Sequence, residues 1–175
     1  SRGHRLEIMA PAGCFEALTA AVQAGADSVY FGVEDLNMRS HSANNFTLSD
    51  LPEIVRYCSE NGVKTYLALN IILYDEDVSK AYSTLDAAKA AGVTAVIASD
   101  ITTIEYARSI GLEVHISTQL NISNTEALRF YSRYADVVVL ARELNLDQVR
   151  AISDRIASEH ITGPSGRPVQ IEMFC

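Results

Sequence analysis

Short apolar runs alternate with amphipathic stretches along the whole chain. Runs of this kind are typical of strands in a parallel sheet that is covered on both faces. In the stretches between them, apolar residues recur at helical spacing, as Phe15, Leu18 and Val22 do. The runs predict seven strands, at 6–9, 28–31, 64–69, 95–98, 113–116, 136–140 and 169–174.

The amphipathic stretches predict six helices, and residues with capping preferences lie near their ends. The predicted helices are 15–24, 48–61, 75–91, 102–110, 124–134 and 146–159. Glycine follows several of these stretches, as expected where a helix stops. At the other end, Ser49 or Asp50 is expected to cap the second helix, Asp100 the fourth and Asn145 the sixth.

The order of these elements leaves two architectures open. A doubly wound sheet needs a reversal of strand order and usually a glycine-rich phosphate turn after the first strand. The sequence Ala-Pro-Ala-Gly at 10–13 is no such turn. A (β/α)8 barrel needs eight strand–helix units. We therefore predict an α/β protein with a TIM-like (β/α)8 barrel that is incomplete here, with about seven strands and six helices. Residues 1–175 would form a single domain, the N-terminal barrel portion of a longer protein.

Composition narrows the classes of function. The 175 residues are 48% hydrophobic and carry a formal net charge of −8, which counts against a large nucleic-acid surface but leaves room for a local basic patch. No apolar run could span a membrane and no secretory signal opens the chain, so the cytoplasm is the expected compartment. Cys14, Cys58 and Cys175 are too widely spaced for a disulfide framework or a self-contained metal site.

Polar side chains stand where the apolar strands stop. Because the carboxyl ends of barrel strands meet at one mouth, these residues are candidates for a site. The candidates at strand ends are Asn70, Gln119, Arg142 and Glu143, and the long loop after the second strand adds Arg39, His41, Asn44 and Asn45. The alternatives are ordinary loop polarity, a solvated His41 and a surface pair of Arg142 with Glu143. No hydrolase, zinc or phosphate-loop motif accompanies them, so the residues alone predict a polar mouth and no particular reaction.

The segments 6–13 and 24–32 resemble the opening of peptidase family U-32, the collagenase-like proteins. The resemblance continues in order through the candidate positions to 140–144 and 172–174, and so covers nearly the whole chain. The family name implies proteolysis. Other members are implicated in oxygen-independent hydroxylation of a tRNA uridine, an rRNA cytidine or a ubiquinone precursor, with prephenate as the implied oxygen source. The resemblance also implies an iron-sulfur cluster whose cysteine ligands lie beyond this segment, with Cys175 at a variable position ahead of them.

Roles for the matching residues follow from the resemblance. Arg142 and Glu143 are implied as catalytic residues, and Arg39, Asn45, Asn70 and Gln119 as substrate-binding residues. Either arginine would hold a dicarboxylate such as prephenate, the amides would bind a ring or base edge, and Glu143 would position Arg142 or transfer a proton. We expect hydroxylation of an RNA base. The alternatives are a collagenase-like peptidase, hydroxylation of a small aromatic quinone precursor, and a non-catalytic scaffold that needs a partner subunit. The expected partners are RNA or a small aromatic substrate, together with a partner subunit or a homo-oligomer.

Overall fold

Seven parallel strands form one curved sheet in which neighbours along the chain are neighbours in space. The structure, a computed structural model, describes residues 7–33, 46–69, 73–117, 124–140 and 144–172. The strands are β1 (Met9–Pro11), β2 (Ser28–Phe31), β3 (Lys64–Leu69), β4 (Ala95–Ala98), β5 (Glu113–Ser117), β6 (Val137–Val139) and β7 (Gln170–Glu172). Their order is β1 through β7 without a reversal, which confirms the incomplete TIM-like barrel and excludes the doubly wound sheet.

Six helices connect the strands, as the sequence pattern predicts. They are α1 (Phe15–Gln23), α2 (Leu51–Glu60), α3 (Val78–Ala91), α4 (Ile101–Ser109), α5 (Thr125–Tyr131) and α6 (Leu146–Ser158). The glycine after α3 confirms the expected stop, because Gly92 takes φ +86°, a left-handed conformation that other residues rarely adopt. Within the described residues, no helix has the length and apolarity to cross a bilayer.

The two faces of the sheet carry different side chains, because successive residues of a strand point to opposite faces. On the outer face, Val29, Leu67, Val96 and Ile116 pack with the helices into the main apolar core. A second apolar cluster at the β6–β7 end contains Val138, Leu140 and Ile156. The inner face is mixed: Tyr66, Ala95 and Ile97 form a small buried group, and ionisable side chains lie beside it.

Two local predictions were wrong. The first strand begins at Met9 and includes Pro11, whereas residues 7 and 8 precede it and Ile8 exchanges hydrogen bonds with Asp27. The helix predicted from residue 48 opens with a short 3-10 turn, Leu48–Asp50, whose cap is Thr47. The amide of Thr47 donates to Asp50 at 2.8 Å, so Asp50 acts as the return partner of a capping box and makes no cap bond to α2 itself.

Candidate active site on the inner face of the barrel

A buried histidine lies at the centre of the inner face. His115 is the third residue of β5, and its neighbour in register on β4 is Ile97. Two residues earlier on β4, the small Ala95 is paired in register with Tyr66 on β3 and with Glu113 on β5. Because alanine leaves space there, the Tyr66 ring reaches over β4 and lies 4.8 Å from the His115 ring, centroid to centroid. A tyrosine and a histidine from non-adjacent strands thus meet in the barrel interior.

Two carboxylates flank this imidazole from opposite sides. Nδ1 of His115 lies 3.3 Å from Oε2 of Glu172, within hydrogen-bonding distance, and Nε2 lies 3.8 Å from Oε1 of Glu113. The His115 side chain is 3% exposed and that of Glu172 is 18% exposed. Glu172 is the last residue of β7 and pairs in register with Val139 at the end of β6, so its carboxylate stands at the carboxyl end of the sheet.

The flanking charges decide the protonation of His115. Burial disfavours the charged ring, but the contacts and negative charges of Glu113 and Glu172 outweigh burial and raise the pKa of His115 to about 9. The contact with His115 in turn lowers the pKa of Glu113, although burial opposes this. At neutral pH the centre of the barrel therefore holds an imidazolium between two carboxylates.

A second chain of polar contacts runs from Tyr66 towards the amino ends of the strands. Its hydroxyl donates to Oε1 of Glu7 at 3.1 Å, and the other oxygen of Glu7 lies 3.9 Å from Nζ of Lys64. Burial, followed by the charges of Glu7 and Glu172, raises the pKa of Tyr66 far above its ordinary value, so the phenol stays protonated. We call the six side chains the interior cluster: Glu7, Lys64, Tyr66, Glu113, His115 and Glu172.

The structure does not test the sequence-predicted site residues. Arg39, Asn45, Asn70, Gln119, Arg142 and Glu143, together with His41 and Asn44, lie outside the described residues. Their assignment stays a prediction. Asp100, by contrast, is described and is a helix cap, as expected: it accepts hydrogen bonds from the amides of Thr102 and Thr103 at 2.8 and 3.4 Å. Its side chain serves α4, so its position at a strand end needs no substrate to explain it.

Sequence reasoning missed the interior cluster, although β5 carries a signal for it. Glu113 and His115 occupy alternate positions in β5, and the residues that follow each of them, Val114 and Ile116, are apolar and buried. In a sheet covered on its outer face, such alternation places both polar groups on the inner face. Gln170 and Glu172 alternate with Val169 and Ile171 in the same way, but the pairing of Glu172 with His115, 57 residues away in sequence, cannot be read from that pattern.

A cavity of about 350 Å³ lies at the opposite, amino end of the strands. Arg108, Glu113, Asp136 and Arg167 contribute to its walls, which therefore carry both signs of charge. Glu113 opens β5 and Asp136 immediately precedes β6, which fixes the end of the sheet at which this cavity lies. The cavity gives solvent a way to Glu113 and is separate from the carboxyl ends, where barrel enzymes place their sites.

The described cysteines do not fit an iron-sulfur cluster. Such a cluster typically takes four thiolates, and the described thiols are Cys14 and Cys58. Cys58 is fully buried in the outer core, and burial raises its pKa to about 11, so it remains a thiol. Within the described ranges, no group of three or more His, Cys, Asp or Glu side chains is arranged to hold a metal ion.

Comparison with protein families gives a match over nearly the whole chain. The model of "Peptidase family U32" matches residues 13–174. The chain is 62% identical over 168 residues to a protein of Porphyromonas gingivalis W83 named collagenase, covering 96% of this chain and 41% of that protein. The chain thus spans less than half the length of this relative.

Two further relatives carry names from RNA modification. The chain is 36% identical over 156 residues to tRNA hydroxylation protein P1 of Bacillus subtilis, covering 87% of this chain and 37% of that protein. It is 38% identical over 150 residues to a 23S rRNA 5-hydroxycytidine synthase of Escherichia coli, covering 85% of this chain and 22% of that protein. The similarity to both extends over most of the chain.

Solved structures support the fold. The U32 peptidase Mk0906 superimposes with a TM-score of 0.71 at 17% identity, covering 99% of this chain and 69% of that one. Phosphonopyruvate hydrolase superimposes with a TM-score of 0.61 at 14% identity, covering 97% of this chain and 75% of the other. At such identities the likeness concerns the barrel alone.

Proposed function

This chain belongs to peptidase family U32, and we propose that it is the barrel portion of an enzyme that hydroxylates a base in tRNA or rRNA. The observation that carries the proposal is the pair of RNA-hydroxylation relatives. Their names specify different RNAs, yet both align with at least 85% of this chain. A segment shared by two such proteins is expected to carry what their reactions have in common, the handling of a base to be hydroxylated.

The interior cluster supports this proposal better than it supports hydrolysis. A hydrolase histidine accepts a proton from a serine or cysteine nucleophile and therefore needs a free ring nitrogen. His115 has a pKa raised to about 9, so at neutral pH both ring nitrogens carry protons. Its ion-pair and ring contacts among the described residues are with Glu113, Glu172 and Tyr66, and none of these is a serine, threonine or cysteine.

In the proposed enzyme, the predicted mouth residues bind the reactants. Arg39 or Arg142 would hold prephenate through its carboxylates, and Asn45, Asn70 and Gln119 would bind the base. Glu143 would position Arg142 or transfer a proton. An iron-sulfur cluster would supply electron transfer. Since the described thiols do not fit it, its ligands are proposed to lie outside this chain. We propose accordingly that the protein acts in the cytoplasm, where tRNA and rRNA are found.

The test is a comparison of RNA nucleosides. Total tRNA and rRNA from cells with and without the gene are digested and analysed by mass spectrometry. We expect one hydroxylated pyrimidine nucleoside to disappear without the gene and to return with the wild-type gene. Complementation with Gln119→Ala is expected to lower the yield at least about tenfold, because the variant loses a hydrogen bond to the substrate. An unchanged nucleoside profile would rule out RNA hydroxylation.

A collagenase-like peptidase is the second candidate, favoured by the relative with 62% identity. It predicts gelatin cleavage by the complete protein that persists through purification and is lost in Arg142→Ala and Glu143→Ala. Cleavage that purifies away from the protein would exclude it. If both assays are negative, accumulation of an unhydroxylated quinone precursor in the deletion strain would identify the small-molecule alternative.

A further inference from the structure

Glu172 combines three properties that its family match alone does not explain. It stands at the carboxyl end of β7, it points to the inner face, and its side chain keeps 18% exposure. Only Oε2 contacts the buried His115 ring; within the described ranges, Oε1 has no hydrogen-bond donor. A half-buried carboxylate that is fixed through one oxygen, and whose other oxygen meets no donor among the described residues, can accept a hydrogen bond from a ligand.

The contact with His115 fixes this carboxylate in place. The His115 side chain is 3% exposed and is packed against Tyr66, so the ring cannot follow a moving partner without disturbing the inner face. The opposite ring nitrogen faces Glu113, which keeps the imidazolium charged. Glu172 is therefore held by a charged donor that is itself held by Tyr66 and Glu113, the arrangement expected of a preorganised binding group.

The local charge selects the kind of ligand. The charged members of the interior cluster are Glu7, Lys64, Glu113, His115 and Glu172. Among the described residues these are three negative and two positive charges, and the described cation nearest to Glu172 is already shared with Glu113. The described charges therefore disfavour a phosphate or a second carboxylate beside Glu172 and favour a neutral ring bearing N–H groups.

We propose that Glu172 is a substrate-binding carboxylate that accepts a hydrogen bond from an N–H group on the edge of a pyrimidine base, and that His115 is its positioning residue. This inference rests on the proposed function for its choice of substrate. It adds a group on β7 to the mouth residues predicted from the sequence. It also separates the two reactants, because the negative cluster would bind the base and leave prephenate to the predicted arginines.

The first experiment measures the hydroxylated nucleoside in deletion cells that carry variants of the complete gene. Glu172→Gln keeps the size of the side chain and removes its charge. We expect its yield per folded protein to fall about 10- to 100-fold. Glu172→Asp, which retains the carboxylate, is expected to recover part of the loss. The matched control is Glu60→Gln on exposed α2, where the carboxylate pairs with Arg56, and its yield should equal that of the wild type.

The second experiment follows the His115 ring directly. In complete protein labelled with 13Cε1-histidine, the signal missing from His115→Gln identifies this ring. We expect it to titrate near pH 9 in the wild type and at lower pH in Glu172→Gln. Cytidine and uridine are then added as probes. One of them should shift the signal in the wild type and not in Glu172→Gln. A purely structural pair would give the titration difference without any shift by a nucleoside.

The outcomes separate this inference from the proposed function. If Glu172→Gln gives the wild-type yield, the inference is wrong and the proposed function stands. If the wild type yields no hydroxylated nucleoside, the proposed function is wrong, and nucleoside binding decides the inference: a shift lost in Glu172→Gln supports it, and no shift in the wild type overturns it. Glu172→Asp replaces Glu172→Gln in each comparison if the latter does not fold.

Discussion

The outer and inner faces of this sheet are built from the same strands and have opposite chemistry. On β5, Val114 and Ile116 face the helices and join the apolar core, whereas Glu113 and His115 face the barrel interior. On β3, Leu67 faces outward and Tyr66 inward. The outer residues can be replaced by other apolar residues of similar volume. The residues of the interior cluster depend on particular partners, since each carries a charge or a hydroxyl that burial would otherwise penalise.

This difference separates stability from binding within single strands. The outer face buries apolar surface and contributes free energy of folding without specificity. The inner face holds ionisable groups from Glu113 at the amino end of β5 to Glu172 at the carboxyl end of β7. Their partners must be retained, because removing one leaves an uncompensated charge. Proteins with this barrel can therefore differ in the residues of the inner face, and so in function, while the outer face maintains the same fold.

The largest expected effect comes from breaking the outer face. Leu67 is fully buried on β3. Leu67→Ala leaves a cavity and is expected to reduce the free energy of unfolding by about 2–5 kcal/mol, measured by denaturant titration. The matched control is Leu146→Ala on α6, where the leucine is 76% exposed and the change should stay within about 0.5 kcal/mol. Equal losses at both positions would contradict the assignment of the core.

An intermediate effect is expected from the inner face, and it depends on pH. The folded pKa of His115, about 9, lies above the ordinary value of 6.5. Its contribution to stability is therefore fully present below pH 6.5 and is lost as the pH rises through 9. This increase in the pKa of His115 on folding corresponds to about 3 kcal/mol of stability. We expect the wild type to lose about this much relative to His115→Gln between pH 6.5 and 9.5, measured as the difference in their free energies of unfolding.

The other charged groups around His115 are Glu7, Lys64, Glu113 and Glu172, and the phenol of Tyr66 lies beside them. The contact with His115 lowers the pKa of Glu113 and burial raises the pKa of Tyr66, so neither group gains or loses a proton in this window. The control is His160→Asn at an exposed position with φ +53°, a conformation that asparagine tolerates. This variant should retain the wild-type loss between pH 6.5 and 9.5. A constant difference between the wild type and His115→Gln would show that the ring is not held as an imidazolium.

The two faces also differ in how well the sequence predicts them. Apolar runs repeat locally, so the strands, the helices and their order in the sheet could be read from the chain. The interior cluster depends on contacts between distant residues: Glu172 meets His115 across β6, and Tyr66 reaches His115 because Ala95 is small. No local pattern encodes these contacts. The hydrogen bonding of Asp50 was missed for a related reason: it occupies the N-cap position of α2, as expected, but pairs reciprocally with Thr47, which single-residue preferences do not reveal.

The smallest expected effect concerns the strand ends, where structural and functional polar residues occur side by side. Asp100 accepts two amide hydrogen bonds at the start of α4, so Asp100→Ala is expected to cost about 1 kcal/mol of stability. Asp100→Ser retains a capping oxygen and should cost only a few tenths of a kcal/mol. Neither variant should change the hydroxylated nucleoside yield per folded protein, in contrast to Gln119→Ala. A loss of yield in Asp100→Ser at wild-type stability would instead place the Asp100 carboxylate in contact with substrate. The polar mouth would then include residues that also cap helices, and a cap hydrogen bond would no longer be a reason to exclude a strand-end residue from the site.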